Sequence, residues 1–109
     1  MKIVDKETLK NWLGLPDLFL MDVRSADGWQ RSIAKIKHAH RFEPDNLTKM
    51  ARDIPKNKKL VLYCENGETS CPVMASELGK MGFTNLYVLK GGFRAWQGKE
   101  FPAVPKELK

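Results

Sequence analysis

Cys64 is the residue of this sequence best suited to covalent chemistry. It follows a short apolar run, 60–63, and opens a polar loop, 65–70, that leads into a segment with helical character. A cysteine between a strand and a helix faces converging backbone N–H groups and the positive end of the helix dipole, and both favour the thiolate. Lowering a thiol pKa from ~8.5 to ~6.5 requires only ~2.7 kcal/mol, which one ring of donors can supply. Cys64 is therefore the candidate nucleophile.

The composition indicates one domain, predicted to span residues 1–109, with a core large enough to fold without metals or disulfides. Cys64 and Cys71 fit neither a disulfide framework nor a zinc-binding spacing, so no metal is expected. The formal charge of +6 arises from 19 basic and 13 acidic residues. Because the lysines are spread along the chain without an aromatic-interleaved basic face, we interpret this charge as a solvated surface and expect no nucleic-acid partner.

The N-terminal region contains no apolar stretch long enough for a signal peptide or a membrane span. We therefore expect no membrane partner. A cytoplasmic location is the default expectation, and thiols stay reduced there.

Apolar runs alternate with segments of helical periodicity along the chain. Strands are predicted at 2–4, 18–21, 39–42, 60–63 and 86–89, and helices at 6–13, 26–33, 44–53, 71–81 and 92–96. This alternation predicts an α/β fold with a central parallel sheet flanked by helices. Sites in such sheets form beyond the carboxyl ends of strands, and Cys64 lies at one of those ends.

Three segments, correctly ordered and spaced, resemble the rhodanese (sulfurtransferase) family. Residues 20–25 resemble the family's signature near the second strand, and residues 86–96 resemble its closing signature. Residues 64–70 are similar to its loop, a cysteine followed by glycine three positions later and by serine six positions later. Residues 34–39 match poorly, since only Ile36 and Ala39 keep the family's residue. The resemblance implies a rhodanese-like fold over nearly the whole chain.

The resemblance also implies a mechanism. Cys64 takes sulfane sulfur from a donor, such as thiosulfate, polysulfide or a persulfide, and becomes a persulfide. A thiol, which could belong to a protein, or cyanide then accepts that sulfur. No metal or organic cofactor is required.

The loop after Cys64 is the predicted binding site for the sulfur and its negative charge. Its backbone N–H groups form the cradle, Gly67 allows the turn, and the hydroxyls of Thr69 and Ser70 add donors. The predicted substrate-binding residues are Glu65, Asn66, Gly67, Glu68, Thr69 and Ser70.

Two carboxylates distinguish this loop from those of many relatives, which carry basic residues. Glu65 and Glu68 oppose a dianionic donor and tend to raise the pKa of Cys64. One hypothesis is that thiosulfate is a poor substrate and that polysulfide, a persulfide or a carrier protein with basic residues is the better donor or acceptor. The alternative is that both side chains point outward and only the backbone faces the substrate.

Several residues have both a functional and a structural interpretation. Cys71 could be a resolving thiol, but a buried helix position in line with Met74 and Leu78 is the preferred interpretation. Arg24 is expected to pair with a carboxylate such as Asp22 and fix the loop after its strand. Packing is the preferred interpretation for Trp29 and Trp96, and Trp29 is the better candidate of the two for a pocket wall.

Two other functions compete with sulfur transfer. Cysteine phosphatases place an arginine six residues after the nucleophile to bind a dianion, and Ser70 occupies that position here. The second alternative is a catalytically weak rhodanese-like module that binds a protein or carries sulfur. Retention of Cys64 favours chemistry over this alternative.

Overall fold

The fold is built on a five-stranded parallel sheet. The computed structural model describes residues 1–66 and 70–107, with the backbone alone at Ser70. The strands are β1 (Lys2–Val4), β2 (Leu18–Asp22), β3 (Ala34–Ile36), β4 (His40–Arg41), β5 (Lys59–Tyr63), β6 (Leu86–Leu89) and β7 (Ala103–Pro105). The strand order in the five-stranded sheet is β1-β6-β5-β2-β4.

Helices connect these strands. They are α1 (Lys6–Trp12), α2 (Ala26–Arg31), α3 (Leu47–Met50), α4 (Ser70–Lys80) and α5 (Gly92–Ala95). The starts of α1 and α2 are fixed by side-chain caps: Asp5 accepts from the Thr8 N–H at 2.8 Å and Ser25 from the Gly28 N–H at 3.1 Å. Within the part of the chain that the structure describes, no helix is long and apolar enough to cross a membrane.

The central strand β5 shows why both faces of the sheet are covered. Successive side chains of a strand point to opposite faces. Leu60 and Leu62 accordingly pack in one apolar core with residues of α3 and α4, such as Leu47 and Leu78. Val61 and Tyr63 pack in a second core, which includes residues of α1 and β3. The continuous apolar runs in the sequence thus follow from burial on both sides.

The predicted α/β class and the central parallel sheet are confirmed, and two local features differ from the sequence prediction. The segment predicted as one helix at 44–53 is a 3₁₀ turn, the single-turn helix α3 and a second 3₁₀ turn. The small antiparallel sheet of β3 and β7 was not predicted, because each strand has only three residues and they lie far apart in sequence. This sheet joins the chain after α2 to the last described strand.

Leu62→Ala tests the first core. Leu62 is fully buried in the central strand, and we expect the substitution to lower the free energy of unfolding by about 2–5 kcal/mol in urea denaturation. Ile33→Ala is the control, because Ile33 is 88% exposed and its truncation should change stability by less than about 0.5 kcal/mol. Equal effects of the two substitutions would contradict this description of the core.

Candidate active site

The carboxyl ends of three neighbouring strands meet at one edge of the sheet. Asp22 at the end of β2 lies opposite Tyr63 at the end of β5 and opposite Arg41 at the end of β4. The chain continues the pairing one step further, since the Val23 N–H donates to the Tyr63 carbonyl at 2.9 Å. Cys64 follows directly, as predicted from the topology of a parallel sheet.

A buried ion pair joins the loops at this edge. Asp22 and Arg24 are both fully buried, and the Arg24 Nη2 lies 2.7 Å from the Asp22 Oδ2. The Tyr63 hydroxyl donates to the same oxygen at 2.7 Å, and the Arg24 Nη2 also donates to the Ala34 carbonyl at 2.9 Å. Burial, followed by the charge of Asp22, raises the pKa of Tyr63, which therefore stays protonated and keeps donating. The expected structural role of Arg24, paired with Asp22, agrees with these contacts.

The start of the Cys64 loop rests on the N-terminus of α5. The Phe93 N–H donates to the Cys64 carbonyl and the Arg94 N–H to the Glu65 carbonyl, both at 2.8 Å. These bonds hold two successive carbonyl oxygens against α5. Gly92 makes the approach possible, because a Cβ at this position would lie 2.6 Å from the Cys64 oxygen and 2.8 Å from the Asn66 nitrogen. Its φ of +62° also favours glycine.

Part of the predicted cradle lies outside the described residues. Gly67, Glu68 and Thr69 belong to this part, so their predicted roles remain predictions. The structure does place Glu65 and Asn66 directly after the nucleophile candidate and makes Ser70 the first residue of α4. An 11-residue helix therefore begins six residues after Cys64, with its N-terminus following the loop as expected.

Cys71 lies on the first turn of α4 and contacts Cys64. The two cysteines are not joined by a disulfide and are buried in the same core, with Cys71 fully inaccessible. A hydrogen bond from the Cys71 thiol to the Cys64 side chain, followed by burial and the charge of Cys64, raises the pKa of Cys71. Cys71 thus keeps its proton at neutral pH. Sequence periodicity anticipated a buried helix residue, but not its contact with Cys64.

Glu65 lies among arginines rather than in isolation. Its side chain is 37% exposed, and Oε1 lies 4.0 Å from Nη1 of the buried Arg24. Among the described residues, no group forms a hydrogen bond with that Nη1. A cleft of about 320 Å³ beside Glu65 is also lined by Arg31 and Arg94. The sequence suggested that the Glu65 carboxylate would oppose binding of an anionic donor. These positive charges offset that effect.

A larger cavity of about 450 Å³ lies at the ends of β2 and β4, with Trp29 and Arg41 in its wall. The Trp29 ring lies 5.2 Å from the guanidinium carbon of Arg24 and 4.8 Å from that of Arg41. Trp29 therefore lines a cavity, but the described residues that line it include neither Cys64 nor Glu65. Its place in the wall of the active-site pocket stays a prediction. Arg24 connects Trp29 to Glu65 and hence to the Cys64 loop.

Comparison with known proteins identifies the family of this chain. Residues 5–99 match the family described as the rhodanese-like domain. The chain belongs to the rhodanese-like family. Among curated rhodanese-like relatives, the thiosulfate sulfurtransferase GlpE of Coxiella burnetii is 31% identical over 81 residues, which cover 74% of this chain and 73% of that protein. The uncharacterised protein YqhL of Bacillus subtilis is 35% identical over 80 residues, 73% of this chain and only 61% of YqhL.

Solved rhodanese-like structures share the fold. The rhodanese-like domain of the Anabaena protein Alr3790 superposes with a TM-score of 0.80 at 26% identity, covering 96% of this chain and 80% of that one. An EanB variant, described as a complex with ergothioneine covalently linked with a cysteine persulfide, has a TM-score of 0.82 at 25% identity. That likeness covers 97% of this chain but 28% of EanB.

Sequence reasoning missed three contributors to the rhodanese-like site. The Cys71 contact, the Tyr63 hydroxyl and the seating of the loop on α5 all depend on tertiary packing. The paired glycines at 91–92 carried a signal for the last of these, because adjacent glycines mark places where backbones approach closely. The sequence contains no comparable signal for the role of the Tyr63 hydroxyl, because Tyr63 lies in a run of apolar residues typical of a buried strand.

Gly92→Ala tests the contact between the Cys64 loop and the N-terminus of α5. The added Cβ overlaps the backbone of Cys64 and Asn66, so the loop must shift. We expect the rate of Cys64 alkylation by iodoacetamide at pH 7 to change about tenfold, the factor for ~1.4 kcal/mol of altered thiolate stabilisation. We also expect a loss of about 1–3 kcal/mol in unfolding free energy.

Gly79→Ala is the matched control. Its added Cβ would make an ordinary 3.6 Å contact with Leu86 inside α4, so it should stabilise the helix slightly and leave Cys64 alkylation unchanged. If Gly92→Ala and Gly79→Ala gave the same alkylation rate and the same free energy of unfolding, the proposed contact between the Cys64 loop and α5 would be contradicted.

Asp22→Asn tests the buried ion pair. It leaves the fully buried Arg24 guanidinium without its counter-charge, and we expect the free energy of unfolding to fall by about 3–5 kcal/mol. Asp27→Asn breaks an ion pair in which both side chains are at least 75% exposed, and should cost less than about 1 kcal/mol. Urea denaturation measures the free energy of unfolding of both variants. Similar losses in the two would contradict the conclusion that the buried pair stabilises this edge of the sheet more than a surface ion pair does.

Proposed function

We propose that this protein is a sulfurtransferase that carries sulfane sulfur as a persulfide on Cys64. The observation that carries the proposal is the seating of Cys64 and Glu65 on the N-terminus of α5, at the carboxyl end of β5, in a chain of the rhodanese-like family. The related GlpE is a thiosulfate sulfurtransferase by name, and the related EanB structure is described with a cysteine persulfide. Both descriptions support this chemistry for Cys64.

In the first half-reaction, the Cys64 thiolate attacks the outer sulfur of the donor. With thiosulfate, a new S–S bond forms to Cys64, the donor S–S bond breaks, and sulfite leaves with the electron pair. With polysulfide, the leaving group is the polysulfide shortened by one sulfur. The enzyme is left as a persulfide anion, Cys64–S–S⁻.

In the second half-reaction, an acceptor nucleophile attacks the terminal sulfur. Cyanide takes the sulfur as thiocyanate, and a thiolate takes it as a new persulfide. The bond between the two sulfurs on Cys64 breaks, and the electron pair returns to Cys64 as the thiolate. The backbone N–H groups of residues 65–70 are the proposed donors to the terminal sulfur, which carries the charge between the two steps.

The nature of the donor depends on the charge around the loop. Glu65 is offset by Arg24 at 4.0 Å, and Arg31 and Arg94 line the cleft beside it. Because these arginines offset its negative charge, Glu65 opposes the binding of thiosulfate less than the sequence suggested. Glu68 retains its predicted effect. Thiosulfate, polysulfide and persulfides are therefore all retained as donor candidates.

Intact-protein mass spectrometry with three samples tests the function. Wild-type protein, Cys64→Ser and Cys71→Ser are incubated separately with thiosulfate and with polysulfide, and then with cyanide. We expect one added sulfur on the wild type and on Cys71→Ser, its removal by cyanide as thiocyanate, and no such addition on Cys64→Ser. Faster loading from polysulfide than from thiosulfate would support the hypothesis that the acidic loop disfavours thiosulfate. Faster loading from thiosulfate would contradict that hypothesis.

An outcome without sulfur addition from either donor, while Cys64 still reacts with iodoacetamide, would contradict the proposal. It would favour the alternative of a rhodanese-like protein-binding module. Sulfur addition to Cys64→Ser would also contradict it, because the sulfur would then reside on another residue.

A further inference from the structure

The cleft between α2 and α5 has no role in the sulfur-transfer steps described above. It has a volume of about 320 Å³, which is within the range of small-molecule sites. Gly28, Arg31 and Ser32 line it from α2 and the end of that helix, and Glu65 and Arg94 line it from the Cys64 loop and α5. The charges of these walls determine which chemical group the cleft can hold.

Backbone contacts place this cleft beside the candidate nucleophile. The Arg94 N–H donates to the Glu65 carbonyl at 2.8 Å, so α5 touches the residue that follows Cys64. On the other side, a Cβ at Gly28 would lie 3.5 Å from the Glu65 Oε1, so α2 approaches the same side chain. Successive Cα atoms are about 3.8 Å apart. A short organic molecule in the cleft can therefore extend to Cys64.

The walls of the cleft carry one uncompensated positive charge. The Glu65 carboxylate faces Arg24 at 4.0 Å, and the Arg31 Nη2 lies 2.8 Å from the Asp27 Oδ2. Arg94 is exposed, and within the described part of the chain it forms no ion pair. Two of the three arginines near the cleft thus have an acidic partner, and Arg94 is left to attract an anion.

Arg24 provides a second and independent indication of an anion. Its side chain is fully buried, and its Nη1 forms no hydrogen bond with any described residue. The Glu65 Oε1 at 4.0 Å is too distant to accept one. Glu65 therefore balances the charge of Arg24 only in part. A buried donor without a partner is a feature that a water molecule or an anion commonly explains.

We infer that this cleft is a carboxylate-binding subsite, which selects carboxylate-bearing organic thiols or persulfides as reaction partners of Cys64. The planar guanidinium of Arg94 matches a carboxylate in shape and charge. A single uncompensated cation suits a monoanion, whereas it would neutralise only half of a dianion. The inference rests on the proposed function and deepens it by naming a class of sulfur donor or acceptor, but its first test requires no sulfur transfer.

The first test compares the alkylation of Cys64 by iodoacetate and by iodoacetamide. The two reagents have the same leaving group and differ in carrying a carboxylate or a neutral amide. Both react with the thiolate, so the ratio of their rate constants does not depend on the Cys64 pKa and reports attraction of the carboxylate. Cleavage after Glu65 or Glu68 separates Cys64 from Cys71, and mass spectrometry then assigns the adduct.

We expect Arg94→Gln to lower the iodoacetate-to-iodoacetamide ratio about threefold, and Glu65→Gln to raise it by a similar factor, as for unit charges near a solvated site. Arg52→Gln is the matched control, because Arg52 is exposed on a 3₁₀ turn and does not line the cleft. It should leave the ratio unchanged. The differences should shrink in about 0.5 M KCl, since salt screens exposed charges.

The second test compares two thiol acceptors after Cys64 has been loaded from polysulfide. One is 3-mercaptopropionate, which carries a carboxylate, and the other is the neutral 2-mercaptoethanol. We expect Arg94→Gln to raise the KM for 3-mercaptopropionate about threefold without changing kcat, because a charge that contributes only to binding is lost. Both constants for 2-mercaptoethanol should stay the same.

Two results would overturn the inference. An alkylation ratio in Arg94→Gln equal to that in Arg52→Gln would show that the cleft does not attract a carboxylate. Equal changes in KM for the two thiols would assign the effect to the persulfide on Cys64 rather than to the acceptor's carboxylate. If instead the expected alkylation pattern appears while Cys64 takes up no sulfur, the carboxylate subsite is supported and the proposed function fails.

Discussion

The Asp22 carboxylate organises the edge of the sheet on which the candidate site is built. It is fully buried at the end of β2, and it accepts hydrogen bonds from Arg24 and from the Tyr63 hydroxyl at the end of β5. Arg24 extends the network to the Ala34 carbonyl at the start of β3. A buried charge is tolerated only when it is paired and hydrogen-bonded. The network therefore fixes the relative positions of three chain segments at once, and Cys64 follows directly from one of them.

The loop that begins at Cys64 is constrained from a different side. Two N–H groups of α5 bind the carbonyls of Cys64 and Glu65, and Gly92 allows the backbones to touch. The ion pair thus sets where β5 ends, whereas α5 sets how the chain leaves it. Cys71, on the first turn of α4, lies in the same buried core as Cys64. The position of Cys64 is therefore constrained by elements from separate parts of the chain.

Much of this arrangement was predictable from the sequence, and the limits have physical causes. Continuous apolar runs such as 60–63 predicted strands buried on both faces, and the alternation with helical segments predicted the parallel sheet. The position of Cys64 at a strand end followed from that topology. Contacts that join distant segments left no local pattern. Neither the pairing of Ala34–Ile36 with Ala103–Pro105 nor the bond from Tyr63 to Asp22 affects local periodicity.

Glu65 shows a different limit of sequence reasoning. Its charge was visible in the sequence, but its effect depends on which way the side chain points and on which charges lie nearby. In the structure it approaches Arg24, which lies just after β2, 41 residues earlier in the chain. Charge counts within a loop therefore misjudge the field at a site whose walls come from other elements.

The pairing of β1 with β6 has a consequence for how this fold forms during synthesis. Lys2 lies opposite Tyr87, so among the described residues β1 finds its only neighbour in the sheet in β6, which follows β2, β3, β4 and β5 along the chain. Until β6 leaves the ribosome, β1 of a nascent chain has no place in the sheet. Because such non-local pairing slows folding, the native core is expected to form only after β6 has been synthesised, with apolar β1 and α1 side chains exposed until then.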